Sequence, residues 1–110
     1  MSAIYVVKIE IDPAYEEAWS EWHTCQHMPD VLSAHRGFVR GRKYKIDAPE
    51  DGWSQYLVMY EIDSHESLRE YLDGEEVTRL RADHYAHFGH CTRLSRLVLT
   101  PTAVIDKPMD

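Results

Sequence analysis

Apolar and polar residues alternate over residues 3–11, AIYVVKIEI, with Tyr5, Val7, Ile9 and Ile11 on one side and Val6, Lys8 and Glu10 on the other. A period of two among β-branched residues predicts a strand. The pattern then changes. Asp12-Pro13 supplies an N-cap and a first helical residue, and Glu16 and Glu17 fall where the helix dipole favours acidic groups. Tyr15, Ala18, Trp19, Trp22 and Gln26 recur on one stripe, so this helix should pack on a sheet. Pro29 should end or kink it, because the residue before a proline is pushed out of helical geometry. It can equally open a short helical turn through Val31 and Leu32. Gly37 opens a second strand, GFVRGRKYKI, in which Phe38, Arg40, Arg42, Tyr44 and Ile46 are predicted to share a face. Residues 47–53, DAPEDGW, are turn formers, and QYLVMYEID follows as a third strand, hairpinned to the second by a long loop.

Asp63 or Ser64 can cap a second helix, whose apolar side is Leu68, Tyr71 and Leu72, and Gly74 breaks it. Residues 75–88 resume a helical pattern with Val77, Leu80 and Tyr85 predicted inward and Gly89 as C-terminal cap. Residues 91–99, CTRLSRLVL, make a fourth strand that Pro101 stops. The order β-α-β-β-α-β is the ferredoxin-like split arrangement of the α+β class. One domain is expected over residues 1–100, with a tail over 101–110. Helices on one face of an antiparallel sheet leave the other face to be covered. A homodimer packed sheet on sheet is therefore predicted, with residues 101–110 either an extended tail or an arm onto the partner chain.

Length and composition narrow the function classes. At 110 residues the chain is one domain, and with 44% hydrophobic residues it is globular rather than disordered. A net charge of -7 and a pI near 5.4 argue against nucleic acid as a partner, since phosphate binding needs a basic face. No apolar run approaches the ~18 residues of a membrane span. The N-terminal MSAIYVVKIEID lacks the basic leader of a signal peptide, so a cytoplasmic location is expected. Cys25 and Cys91 are too few for a disulfide framework and are expected as free thiols.

Candidate chemistry centres on WHTCQHMPD, residues 22–30. On a regular helix His23 and His27 lie about 40° apart, at ~100° per residue, at the edge of the aromatic stripe. That position suits groups lining a cleft, and histidine exchanges protons near neutral pH. The alternative is a helix-end histidine bonded to backbone. Two imidazoles at this spacing can also share a metal ion. However, the glutamate of an H-E-x-x-H motif is missing between them, and Cys25 projects away, so no metal is expected. His84, His87 and His90 form a second cluster, in which His84 and His87 are helical neighbours and Asp83 can orient His87; its plainer reading is a solvated helix end. Arg40 and Arg42 on an inward strand face must be paired or await an anion; Glu10, Glu61 or a carboxylate of the partner chain would be the pairing alternative. Arg93 and Arg96 lie on opposite faces of strand four, so only one of them can join such a cluster. Tyr56 and Tyr60 share a face of strand three and can donate hydrogen bonds or simply pack. No Gly-rich phosphate loop, nucleophile elbow or dinucleotide fingerprint is present.

These same residues carry a resemblance. W-x-x-W-H-x-x-x-H-M-P-D-V-L followed by G-F-V-R-G-R-K-Y resembles the EthD-like group of dimeric α/β barrel proteins, with Gln26-His27-Met28-Pro29-Asp30 at its characteristic turn and Gly37, Phe38, Arg42 and Tyr44 on its strand. Arg81, His84, Phe88 and Gly89 look like the second-helix end of related members. The glutamate that commonly precedes the histidine is Gln26 here. The resemblance implies the fold and a dimer over roughly residues 3–99. Its members range from lactone isomerases and decarboxylating or dehalogenating enzymes to cofactor-free oxygenases, polyketide cyclases and haem-degrading enzymes, so it leaves the chemistry open. Residues and resemblance together predict a cofactor-independent acid–base enzyme of isomerase or lyase type on a small organic molecule, aromatic or lactone. His27 would be acid or base, His23 or His84 its partner, and Arg42 the anion holder. Tyr44, Tyr60, Arg40, His87 and Trp22 would line the ligand. The competing expectations are a non-catalytic small-ligand-binding barrel and a metal- or haem-dependent oxygenase.

Overall fold

The computed structural model describes residues 2–47 and 52–109. The turn expected at 47–53 falls mostly outside them, apart from Asp47, Trp53 and Gly52, whose φ of 110° is a conformation open to glycine. Strands β1 (Ala3–Ile11), β2 (Phe38–Lys45), β3 (Ser54–Ile62) and β4 (Thr92–Leu99) form one antiparallel sheet in the order β2-β3-β1-β4. Helices α1 (Glu16–Trp22), α2 (Met28–Ser33), α3 (His65–Asp73) and α4 (Glu75–Phe88) connect them as a ferredoxin-like βαββαβ fold. The predicted caps form: Asp12 Oδ1 accepts from the Ala14 amide at 3.0 Å, and Ser64 Oγ from the Ser67 amide at 3.0 Å.

The core lies between the helices and one face of the sheet. Tyr5, Ile9 and Ile11 of β1 and Tyr56, Val58, Tyr60 and Ile62 of β3 are buried there, against Trp19, Leu68, Leu80 and Tyr71 from the helices. The alternation that predicted β1 is therefore the alternation between the helix-covered face and the outer face.

Strand β2 breaks its own alternation. The ladder shifts register between Phe38 and Arg40, so Phe38 pairs with Ile62 and Arg40 with Glu61. One extra residue in a strand reverses the facing of everything beyond it. Phe38 packs inward, edge-on to Tyr60 and Tyr71, while Arg40, Arg42 and Tyr44 turn to the outer face and Lys43 turns inward. The single shared face expected from Phe38 to Tyr44 does not exist.

The first helical segment also departs from a plain α-helix. Residues 23–27 form a π-helical turn, closed by the Met28 amide on the His23 carbonyl. Pro29 supplies the reason: it has no N–H to give the Cys25 carbonyl, and its ring crowds that carbonyl. The chain widens by one turn and then continues as α2. Of the two outcomes left open for Pro29, continuation into a further turn is the observed one. In α4 the buried stripe is Val77, Leu80 and His84, while Tyr85, expected inward, is 75% exposed. Gly89 caps α4 with a right-handed φ of -61°, so its role is clearance and not backbone freedom: a Cβ there would meet the Tyr85 ring at 2.5 Å.

Gly37, which joins α2 to β2, donates its amide to His35 Nδ1 at 2.9 Å and accepts from the Asp63 amide at 2.9 Å. A Cβ at this position would lie 2.7 Å from Asp63 Oδ1 and 2.9 Å from Ser67. Gly37→Ala should therefore destabilise the fold by about 1–3 kcal/mol, read as a lower urea midpoint with an unchanged slope; an unchanged midpoint would refute the close packing described.

Candidate active site

The π turn has a direct consequence for its side chains. Widening the helix brings positions four apart closer to alignment, and the His23 and His27 rings stack with centroids 5.3 Å apart and planes 28° apart. His23 sits at the centre of the buried stripe, 1% exposed, and not at its edge as a regular helix predicts. Its other face stacks on Trp19 at 4.7 Å. From α4, His84 meets the pair edge-on, 5.4 Å from His27 and 6.3 Å from His23. Trp22 backs the cluster, stacked on His27 at 5.3 Å.

Two of these imidazoles have their tautomers set by protein donors. Trp19 Nε1 donates to His84 Nε2 at 3.1 Å, so neutral His84 carries its proton on Nδ1. Lys43 Nζ lies 3.4 Å from His23 Nδ1, so neutral His23 carries its proton on Nε2. Lys43 is held over the Trp19 ring at 4.6 Å and donates to Thr24 Oγ1 at 2.8 Å and to the Ser20 carbonyl at 3.3 Å. Burial lowers this amine to about 8. His27 is different. Its buried Nδ1 finds no partner among the described residues, which leaves its tautomer free.

The three imidazoles are electrically neutral at physiological pH. Burial, then the positive charge of Lys43, pushes His23 down to about 2. Burial, then the neighbouring His27, pushes His84 down to about 4. Burial also lowers His27, with Asp83 and Asp30 pulling the other way and Arg96 adding to the decrease.

His23, His27, His84 and Tyr60 line a cavity of about 40 Å³ between helices and sheet, enough for a water or two. Its remaining wall is largely apolar, from Val7, Ile9, Val31, Leu80 and Leu94. Arg81, His84, Leu94 and Arg96 also line an outer groove of about 520 Å³ between α4 and β4, so the cavity and the groove adjoin, separated by these side chains. Among the described residues no group of three or more His, Cys, Asp or Glu is arranged to hold a metal ion. The arrangement suits proton transfer: one imidazole is unassigned, and two others have fixed N–H groups nearby.

Of the predicted site residues, His23, His27, His84 and Tyr60 come together, with Trp22 behind them. His87 is exposed on the far side of Trp22, stacked on it at 4.9 Å and bonded through Nδ1 to the Asp83 carbonyl at 2.8 Å. Arg42, Tyr44 and Arg40 lie on the outer face of the sheet, and Arg40 pairs with Glu61 at 3.5 Å. Tyr56 packs against Trp19 at 5.0 Å and does not line the cavity, donating instead to Glu16. Cys25 is exposed and Cys91 is core. The pattern of the sequence does not reveal Lys43 or Trp19 as site residues; Arg81 entered only through the resemblance, and Arg96 only as one of two alternatives with Arg93. The facing rule for Arg93 and Arg96 was a usable signal for one of them, since the register puts Arg96 on the cleft side and Arg93 opposite Glu10.

The fold is shared with several solved proteins. An EthD family protein from Bacillus halodurans matches with a TM-score of 0.64 and 18% identity, over 91% of this chain and 99% of that one. SnoaB, a cofactor-independent oxygenase from Streptomyces nogalater, matches with a TM-score of 0.59 and 16% identity, over 96% and 98%. HapK from Hahella chejuensis matches with a TM-score of 0.70 and 13% identity, over 99% and 100%. The fold is thus the α+β ferredoxin-like one that these solved proteins share. No curated protein matches the chain. The chain belongs to the family described as a domain of unknown function, DUF4286, whose model matches residues 2–101.

The neutral histidines make stability depend on acid. Below the ordinary histidine pKa of 6.5 the unfolded chain takes up protons that buried His84 and His23 refuse. Their stabilising contribution is complete above that pH and is lost as pH falls toward 4. For His84 the loss reaches about 3 kcal/mol, at 1.36 kcal/mol per unit of pKa difference. Urea unfolding at pH 7, 5.5 and 4 should show this decline, and His84→Gln should flatten it; a variant with the wild-type slope would contradict the neutral, buried state of His84.

Proposed function

We propose that this protein is a cofactor-independent enzyme that begins its reaction by moving a proton from a small organic substrate to His27. The observation that carries the reading is the contrast within one cleft: His23 and His84 have their protons assigned by Lys43 and Trp19, whereas His27 has not. A neutral imidazole with a free nitrogen is a base at pH 7. The anion left on the substrate, an enolate or phenolate, would lie beside the N–H groups of His23 and His84, which favour negative charge without a proton changing place in advance. Returning the proton to another atom is an isomerisation; expelling a leaving group is a lyase reaction. The likeness of fold to SnoaB supports a second reading, in which the same deprotonated substrate reacts with dioxygen.

The test is proton exchange. In deuterium oxide, a panel of small lactones, 1,3-dicarbonyl compounds and dihydroxyaromatics is followed by NMR for label at the acidic position. The wild-type protein should accelerate exchange for at least one compound, and His27→Ala should slow it by about 100-fold or more, the usual worth of a positioned base. Equal rates in the two proteins would remove His27 from the chemistry. Exchange in neither, with a compound still bound, would make the protein a binding barrel. Oxygen uptake on the same panel separates the oxygenase from the isomerase or lyase.

The assembly proposed with this function is a homodimer through the outer face of the sheet. Tyr44, Leu97 and Leu99 are 49%, 46% and 39% exposed there. The segment beyond Pro101 carries Val104 and Ile105 at 86% and 89% exposure. Apolar side chains of this number call for cover. Sedimentation at micromolar concentration should give a dimer, and Leu97→Glu should give a monomer with intact secondary structure; a monomeric wild type would refute the interface.

A further inference from the structure

Arg81 and Arg96 both line the inner cavity and the outer groove and stand between the two. The chain as a whole is acidic, with 19 Asp and Glu against 12 Lys and Arg. Carboxylates are therefore in excess, and Arg40, Arg79 and Arg93 each have one. Among the described residues neither Arg81 nor Arg96 forms an ion pair. Arg81 is held instead by a neutral group, donating Nη2 to Tyr5 Oη at 3.0 Å. Two guanidiniums on one cleft repel each other, and each is a fork built for two parallel hydrogen bonds to a carboxylate. Beyond them the wall combines the three imidazoles with apolar side chains, among them Val7, Ile9, Leu80 and Leu94.

We propose that the cleft takes a small organic carboxylic acid: Arg81 and Arg96 bind its carboxylate, its apolar or aromatic body lies in the outer groove, and only its reacting edge reaches toward the narrow cavity at His27. The identity of the reacting end rests on the proton-transfer reading above; the carboxylate site does not. Tyr5 acts as a positioning residue, since it fixes Arg81 without neutralising it. The geometry also couples binding to chemistry. Arg96 opposes protonation of His27, while Asp30 and Asp83 favour it. A carboxylate seated on Arg96 screens that opposition, so the bound acid strengthens the base that would act on it. A neutral ligand of the same shape leaves the base as it was.

The experiment uses three acids, benzoate, phenylacetate and salicylate, each beside its neutral amide. Binding to the full chain is read at low salt by calorimetry. At least one acid should bind about tenfold or more tightly than its amide, the scale expected of a charge-assisted pair. The double variant R81Q/R96Q, with both changes at exposed positions, should abolish that preference while circular dichroism stays unchanged. The proposal is overturned if no acid outbinds its amide, or if the preference survives in R81Q/R96Q. His27→Ala keeps the two ideas apart. If it retains the acid preference and also retains proton exchange, the base assignment fails and the carboxylate site stands. If it loses exchange while acids bind no better than amides, the base stands and the carboxylate site fails.

Discussion

The hydrogen bond from Trp19 Nε1 to His84 Nε2 joins the first helical segment to the last across 65 residues of chain. Trp19 is fully buried and His84 is 4% exposed, so neither polar atom has water as an alternative. Leaving either one unpaired would cost about 1–3 kcal/mol. The bond therefore sets the distance between α1 and α4, and with it the width of the cleft beneath them. It also decides which nitrogen of His84 bears the proton. A packing contact and a chemical assignment are here the same interaction.

Pro29 imposes the second constraint. Its missing N–H forces the preceding turn to widen, and the widened turn aligns His23 with His27. A π turn sacrifices regular helical bonding and persists only where surrounding contacts hold it. Those contacts are the ring stacks from Trp19 through His23 to His27 and from Trp22 behind them. Burial of this aromatic column keeps the imidazoles neutral, and neutrality is what makes His27 a possible base near pH 7. Structure and chemistry are thus linked through desolvation rather than through a charged partner, although Asp83 and Asp30 temper it at His27.

Much of the architecture was legible along the chain. Alternation marked β1, Asp12 and Ser64 marked helix starts, and Gly74 marked the break between α3 and α4. These signals are local, so tertiary packing had only to agree with them. The candidate site was half legible. His23, His27 and His84 were visible as residue types at helical spacing. Arg42 was misplaced because one extra residue in β2 reverses the facing of the strand, and the bulge leaves no mark in the hydrophobic pattern of GFVRGRKYKI. Tyr85 was misplaced by the same kind of limit. An aromatic residue and a histidine at adjacent helical positions compete for one buried stripe, and here the hydrogen bond from Trp19 favours His84.

By itself the sequence determined the order of elements, the class of fold and the acidic surface, because each follows from periodicity, caps and composition within a few residues of chain. Only the tertiary structure decided that three separated histidines share one cavity, that Lys43 and Trp19 assign protons to two of them, and that Arg96 rather than Arg42 lines it. Those facts depend on strand register, on a π turn and on burial. All three arise from contacts between segments tens of residues apart, which no local pattern records.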